Sequence, residues 1–438
     1  MGEHSSEAGA KAETGANAET GANAETGANA ETGAGTAPVV TRGGDADLTV
    51  DVGLLAATSG RIGDDRLSRF ATRLAEDAAD ELAAATDATW RFYAEEPEPL
   101  PDGEARRPSE FLDEAALRMV EGPYDLLVVV TDAPLLGEGR RRVAGLASPL
   151  SRVAVVSTHR LRVADRGRPE RPLDSPAVRY NGATAFLHQV GHVLGARHDA
   201  AGGAMAPYEF DPERRAVPAF EADVDRHLER VATRIPEEAV ESRSVPRLVE
   251  FHFASVARNP RAVLGALATS RAPLLPLSLP KLSTAAVAPA LILVFSAETW
   301  DVGLNLDNWT AALFAVVSVV AAAVYLVFSL NLNVPRERRA VVTEHVALLN
   351  VAIFAVVALG MVGLFALVGG IMLVIESVVF PPNLMTNWPS LEDPVVTVVD
   401  IVRIAGFIAT VGVLSGALAG GLEDRAILRH LALFRSRP

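Results

Sequence analysis

The sequence lacks cysteine entirely, so any functional site must be built from other residue types. Disulfide bridges and cysteine-ligated zinc are both excluded in a chain without a thiol. A metal ion bound by this protein would need histidine nitrogens and oxygen atoms as its ligands.

Lysine is almost absent as well, since only Lys11 and Lys281 occur and arginine supplies nearly all of the basic charge. The 54 acidic side chains outnumber the 40 basic ones, which gives a formal net charge of -14. An acidic surface of this kind is typical of a salt-adapted, halophilic protein, and it repels nucleic acid. Because no basic patch or aromatic RNA-binding motif offsets that repulsion, we expect no nucleic-acid partner.

The N-terminal segment has no large apolar residue, since leucine, isoleucine, valine and phenylalanine are missing from residues 1–34. It therefore lacks the apolar core of a signal peptide, and Sec-type export of the first domain is not expected. From residue 12 the sequence repeats Ala-Glu-Thr-Gly-Ala-Asn with a period of six. A hexapeptide β-helix has the same period, but no side chain here could fill its core. We predict that residues 1–36 form a disordered tail.

Residues 37–215 alternate between strand-like and helix-like stretches, which predicts an α/β (α+β) domain with a small twisted mixed sheet. The apolar runs at residues 125–131 and 152–157 are short, rich in β-branched residues and bounded by turn residues, as buried strands are. Further strands are predicted at residues 48–55 and, as a shorter edge strand, 142–147. Periodicity predicts helices at residues 66–85, 109–119 and 182–194.

Three of the nine histidines fall within eleven residues, in the pattern His188-Gln-Val-Gly-His192-Val-Leu-Gly195-Ala-Arg-His198. Residues i and i+4 share one face of a helix, so His188 and His192 can present their imidazoles to one ion. Gly195 can adopt the left-handed conformation that ends a helix, after which His198 can supply a third nitrogen. Three protein ligands leave one position open, as catalytic zinc sites do. The spacing predicts one bound Zn²⁺, with ordinary helix-surface or core histidines as the alternative.

This pattern resembles the extended zinc-binding motif of the metzincins, zinc peptidases with a methionine turn beneath the metal. Met205, in Gly-Gly-Ala-Met-Ala-Pro-Tyr, is placed to be that methionine. Among metzincins the chain is most similar to archaemetzincins, on residues 129–135, 144–147 and 152–161 before the metal helix. The likeness covers roughly residues 47–215. It implies a metzincin-like zincin domain whose edge strand, near residues 143–147, receives an extended polypeptide by strand addition.

Gln189 departs from the metzincin motif at the catalytic position, where the family carries a glutamate that acts as general base. A neutral amide can hydrogen-bond a water molecule but cannot accept its proton. Loss of a positioned base typically costs about 10² to 10⁴ in rate, so we favour a degenerate or weakly active peptidase. An active peptidase with a substitute base is the alternative, with Asp199 and Glu209 as the nearest carboxylates in sequence.

The resemblance implies further roles around the methionine turn. Asp199 stands where archaemetzincins have a cysteine, and it resembles an aspartate of the adamalysin-like branch that helps to anchor this turn; a solvated turn residue is the alternative. Tyr208 resembles a tyrosine with which some metzincins stabilise the tetrahedral intermediate, although it could equally be a plain loop aromatic. Without the archaemetzincin cysteines, the second zinc site of that family should be absent.

The remainder of the chain is predicted to be helical and membrane-associated. Residues 216–280 form a helical linker, with a surface helix at residues 220–235 and an amphipathic stretch at 249–268 that suits either a membrane surface or an ordinary linker. About 20 apolar residues cross a bilayer, so residues 281–438 predict an all-α transmembrane domain and a lipid bilayer as partner. Its four expected helices are residues 282–297, 309–330, 346–375 and 395–422.

Arginines follow the second and fourth apolar stretches, whereas acidic residues occupy the other two connections. The positive-inside rule then places the N-terminal domain and the C-terminus in the cytoplasm of an integral protein of the cell membrane. Asp400 and Arg403 lie one turn apart near the start of the fourth stretch. We expect a mutually paired couple at the membrane interface, with an ion pathway as the alternative. A transport or signalling protein with a regulatory metzincin-like domain is the third functional hypothesis, and no oligomeric state is predicted.

Overall fold

The computed structural model describes residues 37–43, 48–122, 124–137, 141–163, 169–199, 202–221, 240–241, 245–333, 341–342, 344–380 and 396–434. The predicted disordered tail at residues 1–36 lies outside the described residues. So does most of the predicted surface helix at 220–235, of which only residues 220 and 221 are described.

A seven-stranded mixed sheet lies at the centre of the N-terminal part of the chain, as the alternating sequence pattern predicts. The strands in this part of the chain are β1 Val40–Arg42, β2 Thr49–Thr58, β3 Thr89–Ala94, β4 Glu98–Pro99, β5 Leu126–Thr131, β6 Leu135–Leu136, β7 Arg142–Val143, β8 Gly145–Ser148 and β9 Val153–Ser157. The order in the sheet is β1-β3-β2-β5-β9-β8, and β4 pairs with the end of β2. Strands β3, β2, β5 and β9 run parallel, whereas β1 and β8 are antiparallel to their neighbours.

The sheet is buried at its centre because helices cover its strands, which explains the uninterrupted apolar runs of β5 and β9. The single edge strand predicted at residues 142–147 is in fact two short strands. β7 pairs with β6 in a separate hairpin, whereas β8 pairs with β9 from Gly145 opposite Val156 to Ser148 opposite Val153. The break falls at Ala144, whose carbonyl accepts a hydrogen bond from the Ser157 N–H at 2.7 Å.

Four helices accompany the sheet: α1 Asp64–Ala85, α2 Leu112–Glu121, α3 Thr158–Arg162 and α4 Pro176–Val193. Helix α1 buries one apolar face that includes Leu67, Phe70 and Leu74. Helix α4 starts six residues before the predicted position. Its first turn is fixed by local signals, since Ser175 accepts a hydrogen bond from the Val178 N–H and Pro176 occupies the first helical position.

The rest of the described chain is helical apart from a two-residue strand pair, Val240–Glu241 with Val341–Val342. The helices are α5 Val245–Arg258, α6 Pro260–Ser270, α7 Leu275–Ser278, α8 Pro280–Leu293, α9 Ala297–Asn305, α10 Asn308–Ser329, α11 Glu344–Val379, α12 Val398–Gly420 and α13 Arg425–Leu433. Three of them, α10, α11 and α12, are long and apolar enough to cross a membrane. Their outward side chains are mostly apolar, as lipid contact requires.

The first of the four predicted spans is not a straight membrane helix. Helix α8 has 14 residues, a length of about 21 Å, which is less than the hydrocarbon thickness of about 30 Å. It follows the segment 272–278 at an angle of 86°, and only this bent pair taken together would provide a fourth span. Three of the described helices are therefore long and apolar enough to span a membrane, and this bent pair is a candidate for a fourth span.

The N-terminal part of the chain contacts one end of the helical part. Ser109 Oγ donates to the Ala426 carbonyl at 2.6 Å, and His345 Nε2 lies 3.2 Å from the Ser151 carbonyl oxygen. Helix α11, with 36 residues, is about 54 Å long and thus exceeds a bilayer core by roughly 20 Å. Its excess length allows its first turns to reach the sheet-containing part of the chain.

Candidate metal centre

Helix α4 and the turn that follows it bring the three predicted ligands together. The Nε2 atoms of His188 and His192 are 3.1 Å apart, His192 and His198 are separated by 3.1 Å, and His198 and His188 by 3.2 Å. Nitrogens that bind one tetrahedral zinc ion at about 2.0–2.1 Å lie roughly 3.3 Å from one another. The three imidazoles thus have the spacing that a single shared ion would impose.

Backbone carbonyls fix the orientation of two of these rings. His188 Nδ1 lies 2.8 Å from the Ala204 oxygen, and His192 Nδ1 lies 3.0 Å from the Ala196 oxygen. A carbonyl can only accept a hydrogen bond, so both Nδ1 atoms carry the proton, and in the neutral rings both Nε2 atoms present lone pairs. Two lone pairs 3.1 Å apart repel each other unless a cation lies between them. The donor set therefore fits a metal ion, and imidazole nitrogen is a ligand that zinc favours.

Burial strengthens the case for neutral ligands. His188 is 3% exposed, and this burial lowers its pKa, with the neighbouring His198 acting in the same direction against the Ala204 hydrogen bond. A neutral imidazole is the form that coordinates a metal. No described carboxylate belongs to this group of mutually close ligand atoms, so the described residues supply three ligands to a tetrahedral ion and do not fill its fourth position.

The turn after α4 has the geometry expected from its glycine. Gly195 has a φ of 84°, in the left-handed region, and the chain reverses there so that His198 can reach the other two histidines. The Asp199 N–H donates to the Met205 carbonyl at 3.1 Å, which closes the following loop. Met205 is buried beneath α4, where its sulfur leaves no room for a Cβ at Gly191. The methionine thus packs between the turns that carry His188 and His192.

Gln189 points from α4 towards the sheet edge. A Cβ built on Gly145, the first residue of β8, would lie 2.8 Å from Gln189 Cγ and 2.9 Å from the Val155 oxygen. The absence of a side chain at Gly145 therefore allows α4 to approach the edge strand closely. This contact places the catalytic position of the motif beside the strand that the family resemblance implies as the peptide-binding edge.

Tyr208 lies further along the same loop, and its role stays a prediction. Its hydroxyl is buried, and no described residue forms a hydrogen bond with it. Burial raises the pKa of this phenol, whereas the charges of Arg214 and Arg160 lower it. Arg214 in turn donates to Thr184, one turn before His188 on α4, at 3.3 Å. The tyrosine makes no hydrogen bond to any of the three histidines.

Asp400 and Arg403 form an ion pair at the start of α12, far along the chain from the histidines. Asp400 also accepts hydrogen bonds from the N–H and hydroxyl of Thr397 in a capping box. Arg403 donates to the carbonyls of Gly303 and Leu304 at 2.8 and 3.0 Å. Both charged groups are therefore satisfied within the protein, which favours the structural interpretation of the pair.

The carbonyls of Ala196 and Ala204 are the parts of this site that the sequence did not reveal. They orient the metal-facing rings, yet a backbone carbonyl has no residue-type signature. The available signal in the sequence is Gly195, three residues after His192, because a glycine at this position predicts that the chain turns back over the helix end.

Solved structures from three archaea match part of the chain. An archaemetzincin from Methanopyrus kandleri shares 23% identity with a TM-score of 0.31, covering 42% of this chain and 97% of that one. A zinc-dependent peptidase from Methanocorpusculum labreanum shares 21% identity with a TM-score of 0.30, covering 40% and 99%. An archaemetzincin from Archaeoglobus fulgidus, complexed with malonate, shares 19% identity with a TM-score of 0.28, covering 39% and 95%. No protein-family model and no curated protein matches the chain.

Proposed function

We propose that this chain is a membrane-anchored, cytoplasm-facing protein with a metzincin-like site that binds one Zn²⁺ and a polypeptide, and that Gln189 leaves it little peptidase activity. The observation that carries the proposal is the convergence of three Nε2 atoms at 3.1 to 3.2 Å while two of the rings are held through Nδ1 by backbone carbonyls. Ordinary surface or core histidines have no physical reason to direct their lone pairs at one point.

Each residue of the site has a distinct task in this proposal. His188, His192 and His198 hold the ion, which when bound would polarise a peptide carbonyl and lower the pKa of a water molecule. The Gln189 amide can orient a water or a carbonyl group by hydrogen bonding, but it cannot take up a proton at physiological pH. Binding and orientation of the polypeptide are thereby retained while proton transfer is lost.

The proposed peptide path runs along β8. This strand pairs with β9 on one side and is the last strand of the described sheet order, so its other side offers backbone groups for strand addition. Gly145 of β8 contacts Gln189, and the polypeptide backbone would therefore pass next to the catalytic position of the motif.

The proposed orientation in the membrane is supported by charge and by contacts. Helix α10 ends, α11 begins and α12 ends on the side that contacts the sheet-containing part of the chain. His345 and Ala426 make this contact directly, and Arg429 joins the Asn331 carbonyl after α10 to Asp113 of α2. In the sequence, arginines follow α10 and α12, and positive connections remain in the cytoplasm. The arginines concerned are Arg336, Arg338, Arg339, Arg425 and Arg429.

The zinc content of the full chain, purified in detergent and dialysed against metal-free buffer, tests the proposal. We expect one zinc per chain, lost in His192→Ala and retained in His252→Ala, a matched control on α5 outside the site. Substitution by Co²⁺ should give the visible absorption of a tetrahedral ion, a readout that does not depend on activity. Equal zinc contents in the two variants, or a folded chain that takes up no metal, would overturn the proposal.

A further inference from the structure

A cleft of about 830 Å³ opens beyond the carboxyl ends of the parallel strands. Crevices at this edge of an α/β sheet are frequent ligand sites, because the loops that follow adjacent strands converge there. Ser59 follows β2, Pro134 comes shortly after β5 and His159 follows β9. We name this feature the arginine cleft; the residues that matter for its chemistry are Ser59, Arg61, Glu104, Pro134, Arg142 and His159.

The arginine cleft carries two exposed guanidinium groups that no described carboxylate pairs with. Neither Arg61 nor Arg142 forms an ion pair with a described residue: Arg61 donates to the Gly103 carbonyl at 2.7 Å, and Arg142 Nη1 lies 3.3 Å from His159 Nε2. Because an arginine can only donate, His159 Nε2 accepts and its Nδ1 remains a donor. In a chain of net charge -14, two unpaired guanidinium groups in one cleft mark a place for an anion.

Some other arginines of the same domain are paired with carboxylates. Arg91 pairs with Asp51 at 2.7 Å, and Arg179 pairs with Asp77 at 2.6 Å. The only carboxylate among the described lining residues of the cleft is Glu104, which is exposed and pairs with neither arginine. The Ser59 hydroxyl is buried and has no hydrogen-bond partner among the described residues, so it offers one further donor to a bound anion.

The arginine cleft lies next to the metal centre along the sheet edge. Arg142 comes three residues before Gly145, which contacts Gln189, so the chain spans at most about 10 Å between the two positions. His159 comes two residues after Ser157, whose N–H donates to the Ala144 carbonyl of the same edge. A polypeptide that passes the metal centre along β8 would reach this cleft within about three residues.

Charge selects the direction of such a polypeptide. A strand added antiparallel to β8 runs from Ser148 towards Gly145, and its carboxyl-terminal part then enters the arginine cleft. A strand added in the parallel direction would instead bring its amino terminus, a cation, towards Arg61 and Arg142. Like charges repel, so the antiparallel direction is favoured.

We propose that the arginine cleft binds carboxylates of a polypeptide, on the C-terminal side of the residue that lies over the metal centre, through Arg61 and Arg142 with Ser59 as a further donor. This inference rests on the proposed function, because it requires a polypeptide along β8. It assigns acidic sequences, or a chain terminus, as the class of ligand. The carboxylate would come from acidic side chains or from the terminal carboxyl group, and the two sources are separable by experiment.

Titration calorimetry on the zinc-loaded full chain in detergent, at about 0.15 M salt, tests the proposal. Three octapeptides serve as probes: one with four aspartates in its carboxyl half, one of the same composition with the aspartates in its amino half, and an amidated version of the first. We expect the first peptide to bind about tenfold more tightly than the second. Amidation weakens binding only to the extent that the terminal carboxyl group contributes.

Arg142→Gln and Arg61→Gln should each remove most of this preference while the zinc content stays at one per chain. Arg69→Gln, an equal charge change at an exposed position of α1, should leave the preference unchanged. Loss of preference in Arg69→Gln to the same extent would mean that net charge alone is responsible, which would overturn the proposal.

Two further outcomes separate this inference from the proposed function. Retained zinc with equal affinity for the first two peptides would overturn the arginine cleft as a carboxylate site and leave the proposed function in place. Absence of zinc in the folded chain would refute the proposed function itself. Tight binding of inorganic phosphate alone, without a difference between the peptides, would assign the cleft to a small anion and likewise overturn the proposal.

Discussion

Arg429 Nη1 donates to Asp113 Oδ1 at 2.9 Å, although the two residues are 316 positions apart in the sequence. The Arg429 side chain is 2% exposed and also donates to three consecutive backbone carbonyls after α10, those of Asn331, Leu332 and Asn333. One guanidinium therefore joins α13, the end of a candidate membrane helix and α2 beside the sheet. We infer that this contact stabilises the junction between the sheet-containing part and the helical part.

Asp113→Asn should weaken that junction, because it leaves a buried arginine without its counter-charge. Removal of one partner from a fully buried pair lowers the free energy of unfolding by about 3–5 kcal/mol. Because Asp113 is partly exposed, we expect a decrease of about 2 kcal/mol here. For a chain of this size we expect a melting temperature lower by roughly 4 °C in calorimetry of the detergent-solubilised protein.

Arg425→Gln provides the matched control for this prediction. Arg425 pairs with the other oxygen of the same carboxylate at 2.6 Å, but its side chain is 50% exposed. Exposed pairs contribute about 0–1 kcal/mol, so this variant should melt within about 2 °C of the wild type. Equal shifts in both variants would show that burial of Arg429 is not what makes the contact important.

Gln189→Glu should convert the site into a more active peptidase. The substitution is nearly isosteric and restores a proton acceptor next to the proposed metal, so we expect hydrolysis of a quenched fluorescent peptide to rise by about 10² to 10⁴. The double variant Gln189→Glu with His192→Ala should lose the gain, which shows that the activity depends on the metal site. A rise of less than about threefold would instead favour an active wild-type enzyme that already uses another base.

The sheet illustrates which parts of the fold were predictable. Strands β5 and β9 have uninterrupted apolar runs and were placed correctly to within one residue. Strand β3 was missed because Arg91 interrupts its apolar residues, and only the fold shows that Asp51, buried in the neighbouring β2, neutralises that charge at 2.7 Å. A partner 40 residues away in sequence leaves no local signal.

The candidate sites show the same limit. The spacing of His188, His192 and His198 follows from helix geometry and could be recognised directly. Arg61, Arg142 and His159 come from three separate segments, namely the loop after β2, strand β7 and helix α3, and the strand order is what brings them to one cleft. A cluster of this kind becomes visible only when the pairing of the strands is known.

His430 on α13 makes stability depend on pH. Burial, followed by the charge of Arg107, lowers the pKa of its imidazole from 6.5 to about 4, and its Nδ1 has no hydrogen-bond partner in the described part of the chain. Below pH 6.5 the unfolded chain binds a proton that the folded chain takes up only near pH 4. The stabilisation from neutral His430 is thus complete above pH 6.5 and is lost as the pH falls towards 4.

Between pH 7.5 and pH 5 this single group should cost the wild type about 2 kcal/mol of folding free energy. His430→Phe has no titrating ring at this position, so its melting temperature should fall less over the same interval. The other histidines are common to both proteins, and their effects cancel in the difference. Parallel melting curves at the two pH values would contradict the burial of a neutral His430.

The absence of cysteine allows the proposed membrane orientation to be tested without background labelling. Asn305→Cys introduces a thiol at the exposed end of α9, before the candidate span α10, and Arg69→Cys introduces one on an exposed face of α1. If positive connections hold the N-terminal domain in the cytoplasm, a membrane-impermeant maleimide should label Asn305→Cys in intact cells. Arg69→Cys should react only after lysis.

The reverse pattern would mean that the N-terminal domain faces outward, and labelling of both sites in intact cells would show that the bilayer does not separate them. Equal labelling of both variants in detergent provides the control for thiol reactivity.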